Sequence, residues 1–385
     1  MLAVVATVAI AVAVIVAIAA TAVRSMTPVA RTVAVSIGPR AIVAHEKGAG
    51  PIGEYFPLAR FPGAMPARSD LDPEIEAVVS AFEDRAIPEW HTLSIDAARR
   101  IEDEAFAPSD PPAIDLVRDP AIPGSGSDLA GGRGGSDYGS NGDGDAAADS
   151  GGGGGIPIRV YRPDTDGPAP VLLFFHGGGW VLGTLDSVDG VCRHLADRTE
   201  AIVVSVDYRR APEHPFPAAL DDCWRALGWV SENARVFGGD PTAVSVGGTS
   251  AGANLAAATA IRSRAFDGPD IARQLLAYPI TNHAFDTDSY CENAEGPLLT
   301  RADMEWSWAQ YLRSPVDGYN PFASPLRAPK SSLYAVAPAT VLTAGSTRYG
   351  TRDGRTPSDW TKRTSRLLII TIRGYVTVSS VSSRR

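Results

Sequence analysis

Ala243-Val-Ser-Val246 runs directly into Gly247-Gly-Thr-Ser-Ala-Gly252, and from Ala251 to Arg264 the chain turns alanine-rich. The apolar β-branched run reads as a buried strand and the alanine-rich run as a helix. Ser250 therefore sits on a strand-to-helix turn, where small neighbours let a serine hold its hydroxyl clear of the backbone. Upstream, Val171-Leu-Leu-Phe-Phe175 ends in His176-Gly-Gly-Gly-Trp180. A glycine run at that place lets backbone N–H groups point at the oxygen that turns negative when a serine attacks an acyl carbon. Together the two stretches describe most of an acyl-transfer site.

Working outward, further strands are expected at Ile156–Tyr161, Ala201–Val206, Gln274–Tyr278 and Ala339–Ala344, with helices at Ser187–Arg198 and Ala218–Asn233 between them. The run at 171–175 is continuously apolar, as is typical of a strand buried on both faces. Alternating strand and helix predicts an α/β fold, with a mainly parallel central sheet covered by helices on both faces. The core is expected over 156–345. Ahead of it, residues 65–123 read as cap helices: Ile75, Val78, Val79 and Phe82 recur at helical spacing after Asp72-Pro73, and a second helix runs from Ser94 to Glu104. A further cap insertion is expected at 285–312. Residues 124–155 are dominated by Gly, Ser, Asp and Ala and read as a flexible insert, too poor in apolar surface to offset the entropy of ordering.

The chain has 385 residues, 44% of them hydrophobic, which suits one α/β domain with appendages. A net charge of −9 leaves no basic stripe to neutralise phosphates, so nucleic acid is excluded as a partner. Cys192, Cys223 and Cys291 are too few and too scattered for a disulfide framework or a zinc site. Residues 1–64 read as a hydrophobic segment and linker. Leu2 to Val23 carries no charge, and its 22 residues would span roughly 33 Å as a helix, enough for a bilayer core. Arg24, Arg31, Arg40 and Lys47 follow it, so an anchored chain would keep its body in the cytoplasm. Two readings compete with the anchor: a cleaved signal peptide, which lacks its basic leading region, and a start at Met65, which would leave a cytoplasmic protein.

With these residues in view, the chain resembles the hormone-sensitive-lipase-like branch of the α/β-hydrolases, carboxylesterases and lipases that act on small acyl esters. The resemblance runs from about Asp70 to Gly345, apart from the insert. It rests on HGGGW at 176–180, DYRRAPEHPFPAALDD at 207–222, GTSAG at 248–252 with Asn254, and YPI at 278–280. It implies an α/β-hydrolase fold with a helical cap and a reaction through an acyl-serine intermediate, without metal or cofactor. Ser250 then stands at the nucleophile position. The N–H groups of Gly178, Gly179 and Ala251 stand at the oxyanion hole, with Gly177 shaping the loop and His176 anchoring it. Glu213 and His214 are expected to hold a turn rather than to react. Thr249 departs from the aspartate usual there, which is not the triad acid.

A serine nucleophile needs a base, and the base needs an orienting carboxylate. In this family both follow the nucleophile: an aspartate in a DPLRDEG-like loop after the next-to-last strand, then a histidine in an HGF-like loop. Here the strand at 338–345 is followed by Ser-Thr-Arg-Tyr-Gly-Thr-Arg-Asp-Gly at 346–354, and no histidine occurs after His283. No triad Asp or His is legible in this reading frame. Asp353, Asp359 and His283 have no motif behind them as substitutes. Read one nucleotide earlier, however, the codons for 346–353 can spell Phe-Asp-Pro-Leu-Arg-Asp-Glu-Gly. Those for 370–379 can spell Tyr-x-Pro-Gly-x-x-His-Gly-Phe. The Asp codon straddles Ser346 and Thr347 and the His codon straddles Val376 and Thr377, thirty residues apart. The expectation is a frameshifted tail over 346–385 that packs poorly, and a chain crippled as an esterase. The competing reading is a hydrolase-fold ligand-binding protein that has lost its base.

Overall fold

The computed structural model describes residues 87–106, 111–123, 155–287 and 299–347, the strands at 33–37, 40–46 and 367–377, and residues 84, 290–291 and 294–295. Residues 2–23, the helix expected over 73–82 and the glycine-rich stretch up to 154 lie outside them. Among the described residues no helix is long and apolar enough to cross a membrane.

The strands, in chain order, are β1 (Val33–Ile37), β2 (Arg40–Glu46), β3 (Leu116–Arg118), β4 (Ala121–Ile122), β5 (Ile156–Arg162), β6 (Ala169–Phe175), β7 (Ile202–Val206), β8 (Gly239–Thr249), β9 (Gln274–Ala277), β10 (Ala339–Thr347) and β11 (Leu367–Thr377). They form one sheet in the order β1-β2-β11-β10-β9-β8-β6-β7-β5-β3, with β4 beside β5. From β7 to β11 neighbouring strands run parallel, and antiparallel strands close both ends. Among the described residues the α-helices longer than one turn are α1 (Ile95–Phe106), α2 (Asp189–Thr199), α3 (Ala218–Asn233), α4 (Ala251–Ala265) and α5 (Arg301–Tyr311).

The continuous apolar runs have their reason in the layers. Val171, Leu173 and Phe175 of β6 join one buried cluster with Leu220, Leu227 and Val230 of α3 and Leu255 of α4. Leu172 and Phe174 join a second cluster with Cys192, Leu195 and Ala196 of α2. Alternate side chains thus enter opposite cores, and a polar residue on either face would lose solvation. Helix α4 shows the extreme of this pressure. Twelve of its 15 residues are buried, so it lacks the polar stripe of a surface helix. Its alanines let it lie close against the sheet beneath the turn at Ser250.

The strand order puts β6 between β7 and β8, so the connections leaving β6 and β8 part in opposite directions at one point of the sheet. A crevice for ligands opens outside the carboxyl ends of strands at such a point. The register pairs Phe175 with Gly248, so both strands end at the same level. The glycine loop after β6 and the serine turn after β8 are thereby neighbours.

Two segments differ from the sequence reading. Residues 33–37 and 40–46, read as linker, form an antiparallel pair of strands, β1 and β2, the second of which pairs with β11. Residues 367–377, read as part of an unpacked tail, add β11 in parallel to β10. The apolar, β-branched run at 367–372 has high strand propensity, and β10 would otherwise present unpaired N–H and C=O groups at that edge.

Candidate active site

Ser250 has φ +52° and ψ −115°, a backbone conformation that a side chain rarely adopts. It is held there from several sides. Its N–H donates to the Ala277 carbonyl at 2.9 Å, and its carbonyl accepts from Asn254 N at 3.1 Å as α4 begins. A side chain at Gly252 would strike the Phe175 and His176 carbonyls, so that glycine is what lets α4 start so close to β6. Ser250 immediately precedes Ala251, the first residue of α4, so it stands at the helix end whose free N–H groups and dipole favour negative charge.

The loop that follows β6 lies against this turn. A Cβ built on Gly177 would stand 3.1 Å from Thr249 Oγ1 and 3.5 Å from Ser250 Cβ. Gly178 has φ +104°, and its carbonyl accepts from Val181 N at 3.0 Å and Leu182 N at 2.8 Å, which closes the loop into a tight turn. Gly179 and Trp180 also have positive φ, +59° and +63°. A Cβ on Gly179 would meet the Ser307 hydroxyl at 2.6 Å, so α5 lies directly over the loop. Ser307 had no sequence signal. The same helix supplies Tyr311, stacked on Trp180 at 4.2 Å between ring centres, and Trp308 at 4.4 Å. Trp180 is fully buried beneath them.

His176 is fully buried and burial holds its imidazole down to about 3, so the ring is neutral at ordinary pH. Its Nδ1 lies 2.8 Å from the Gly177 carbonyl, which puts the proton on that nitrogen. The ring stacks on Tyr208 at 4.2 Å, and the Tyr208 hydroxyl donates to the His176 carbonyl at 2.9 Å. Its Nε2 makes no hydrogen bond among the described residues, so the ring is not coupled to Ser250. His283, the other histidine weighed as a base, packs its ring against Gly318, Phe285 and Trp308. Burial, and then Arg327, lower its pKa. Asp353 and Asp359 lie outside the described residues.

The remaining motif residues are joints. Asn254 is fully buried and its Nδ2 donates to the Ile280 carbonyl at 2.6 Å and the Ala323 carbonyl at 2.9 Å, tying α4 to the segments that follow β9 and α5. Arg209 grips Asp222 through Nε and Nη2, both at 2.9 Å, and the Arg209 N–H donates to the same carboxylate at 2.9 Å. This pins the two ends of the 207–222 motif together. Glu213 forms a two-pronged pair with Arg99 of α1, both contacts at 2.8 Å, which pulls its carboxyl down to about 2. The Tyr278 hydroxyl is pushed up to about 12 by burial, although a hydrogen bond with Thr249 opposes the shift.

The structure therefore gathers Gly177, Gly178, Gly179, Ser250 and Ala251 at one place, and leaves His176 behind the loop as a support.

Comparison with known proteins agrees with this fold. The sequence profile of the α/β-hydrolase fold family matches residues 172–352. Carboxylesterase NlhH of Mycobacterium tuberculosis is 44% identical over 191 residues, 49% of this chain and 60% of that protein. Ethyl acetate hydrolase of Pseudomonas putida is 37% identical over 195 residues, with the same two shares. The chain thus spans less than two thirds of these curated relatives. Among solved structures, the hyperthermophilic esterase of the archaeon Pyrobaculum calidifontis superposes with a TM-score of 0.67 at 31% identity, covering 80% of this chain and 90% of that one. A thermostable esterase from Pseudomonas putida gives a TM-score of 0.66 at 28% identity, covering 80% and 88%. The chain belongs to the α/β-hydrolase family, in its hormone-sensitive-lipase-like branch.

Proposed function

We propose that this chain carries the nucleophile half of a carboxylic-ester hydrolase acting on small acyl esters. Ser250 Oγ bonds to the acyl carbon while its proton passes to a base. The N–H groups of Gly178, Gly179 and Ala251 receive the oxygen that becomes negative. Collapse expels the alcohol with the proton from the base and leaves an acyl-serine, which water then hydrolyses. The observation that carries this reading is the positive-φ turn at Ser250 set against the loop of Gly177 to Gly179. The names of the relatives, a carboxylesterase and an ethyl acetate hydrolase among them, support the same class.

Among the described residues Ser250 Oγ has no hydrogen-bond partner, and the translated tail holds no histidine and no family motif for the acid and base. We read them in the frame one nucleotide earlier. The spacing supports this: the Asp codon straddles Ser346 and Thr347 and the His codon straddles Val376 and Thr377, thirty residues apart.

The test is hydrolysis of a short-chain p-nitrophenyl ester. Loss of triad members costs on the order of 10⁴ to 10⁶ in kcat, so the translated chain should run barely above background. Restoring the frame after Gly345 by one nucleotide should recover turnover, and Ser250→Ala in the restored protein should remove it. Strong turnover by the unrestored chain, or none by the restored one, would overturn the proposal.

A further inference from the structure

Helix α1 presents Arg99, Glu102 and Asp103 on one face, by the i, i+3, i+4 spacing of a helix. All three reach the same short stretch of the glycine loop. Arg99 Nε donates to the Val181 carbonyl at 3.0 Å, and its Nη2 to the Ala211 carbonyl at 3.0 Å. Glu102 accepts from Gly183 N–H at 3.3 Å, and Asp103 accepts from the Thr184 hydroxyl at 2.9 Å. From the opposite side Arg210 donates to the Gly183 carbonyl at 2.8 Å. Gly183 also backs directly onto the His176 ring, so a displaced Gly183 would carry the ring and the Gly177 carbonyl with it. Glu102 is a buried carboxyl, 7% exposed, an expensive residue to keep where an apolar one would pack. Its reach to a main-chain N–H is what an apolar residue could not reproduce.

We infer that Arg99, Glu102 and Asp103 are positioning residues: they hold the loop after β6 in the shape that aims the Gly178 and Gly179 N–H groups at Ser250. The inference rests on the reading of those N–H groups as oxyanion donors. The donors themselves have no freedom to choose their direction, because the turn at 178–182 is closed by its own hydrogen bonds and moves as a unit. What fixes the unit is its far end at 181–184, and three of the side chains that grip it come from α1. A misplacement of about 1 Å at such donors costs on the order of 10²-fold in rate.

Two measurements on Glu102 variants test this. In the full translated chain, hydrogen exchange of peptides covering 177–184 is followed beside peptides of β8 as an internal control. Glu102→Ala should speed exchange of the loop about tenfold and leave β8 unchanged, whereas Glu102→Gln, which keeps a carbonyl oxygen for Gly183 N–H, should exchange no faster than the parent. In the frame-restored protein, Glu102→Ala should lower kcat by at least about 30-fold with KM moved less than threefold, and Glu102→Gln should recover most of it. If Glu102→Ala also loosens β8, Glu102→Asp, shorter by one methylene, replaces it in both arms. Unchanged loop exchange would overturn the clamp, and faster exchange with unchanged kcat would overturn its positioning role. If the frame-restored parent itself is inactive, the esterase reading fails, and the exchange arm still decides whether α1 holds the loop.

Discussion

Replacing Glu102 by glutamine separates the charge of this side chain from its hydrogen bonding, and the structure sets the size of the effect. The Glu102 carboxyl is lifted from 4.5 to about 7, first by burial and then by the neighbouring Asp103, against the opposing pull of Ser187, Gly183 and Arg210. A carboxyl raised in this way binds its proton more tightly in the folded chain than in the unfolded one. Its stabilising contribution is therefore complete below about pH 4.5 and is lost as the pH rises through about 7. At about 1.4 kcal/mol for each pH unit, moving from 4.5 to about 7 corresponds to about 3 kcal/mol. Glutamine does not titrate and retains an acceptor for Gly183 N–H. Relative to Glu102→Gln, the parent should thus lose about 3 kcal/mol between pH 4.5 and pH 8. Urea unfolding followed by tryptophan fluorescence measures this directly. With a slope of about 3 kcal/mol per M, the gap between the two midpoints should change by about 1 M across that range. A gap that stays constant with pH, or one that moves in the parent's favour as the pH rises, would refute the reasoning, because either result means the carboxyl is not desolvated.

Other consequences follow from the same geometry. Gly178→Ala puts a Cβ into the Leu182 backbone at φ +104°, and should cost about 2 kcal/mol or more in urea unfolding and on the order of 10²-fold in kcat of the frame-restored protein. Asn254→Ala leaves two buried carbonyls, of Ile280 and Ala323, without their donor; unfolding should show a loss of about 2 to 4 kcal/mol.

The sheet and the serine turn were legible because both leave marks at short range. A strand buried on two faces favours apolar side chains throughout, as 171–175 shows, and 202–206 departs from this only at Ser205. The glycines of the loop and of the turn are demanded by backbone angles and close approach, constraints that act on each residue through its own main chain. Strand and helix alternation then predicted a mainly parallel sheet, and the strands from β7 to β11 have that arrangement.

Other features depended on contacts between residues far apart in the chain, which no periodicity encodes. Arg99, Glu102 and Asp103 look like ordinary polar positions of an amphipathic helix until α1 is laid beside residues 181–184, some 80 positions away. The motif marks His176 as the anchor of the glycine loop, but what it anchors to, the Tyr208 ring and the Gly177 carbonyl, exists only in the folded chain. Ser307, Trp308 and Tyr311 carry no motif, and their cover over Gly179 and Trp180 exists only once α5 is seated. The strands at 33–37 and 40–46 and strand β11 depend on which sheet edge stands open, a property of the assembled sheet. Local backbone demands are written residue by residue and can be read in one dimension. Side-chain partners across the fold are chosen by where the elements come to rest, and that is settled only in three.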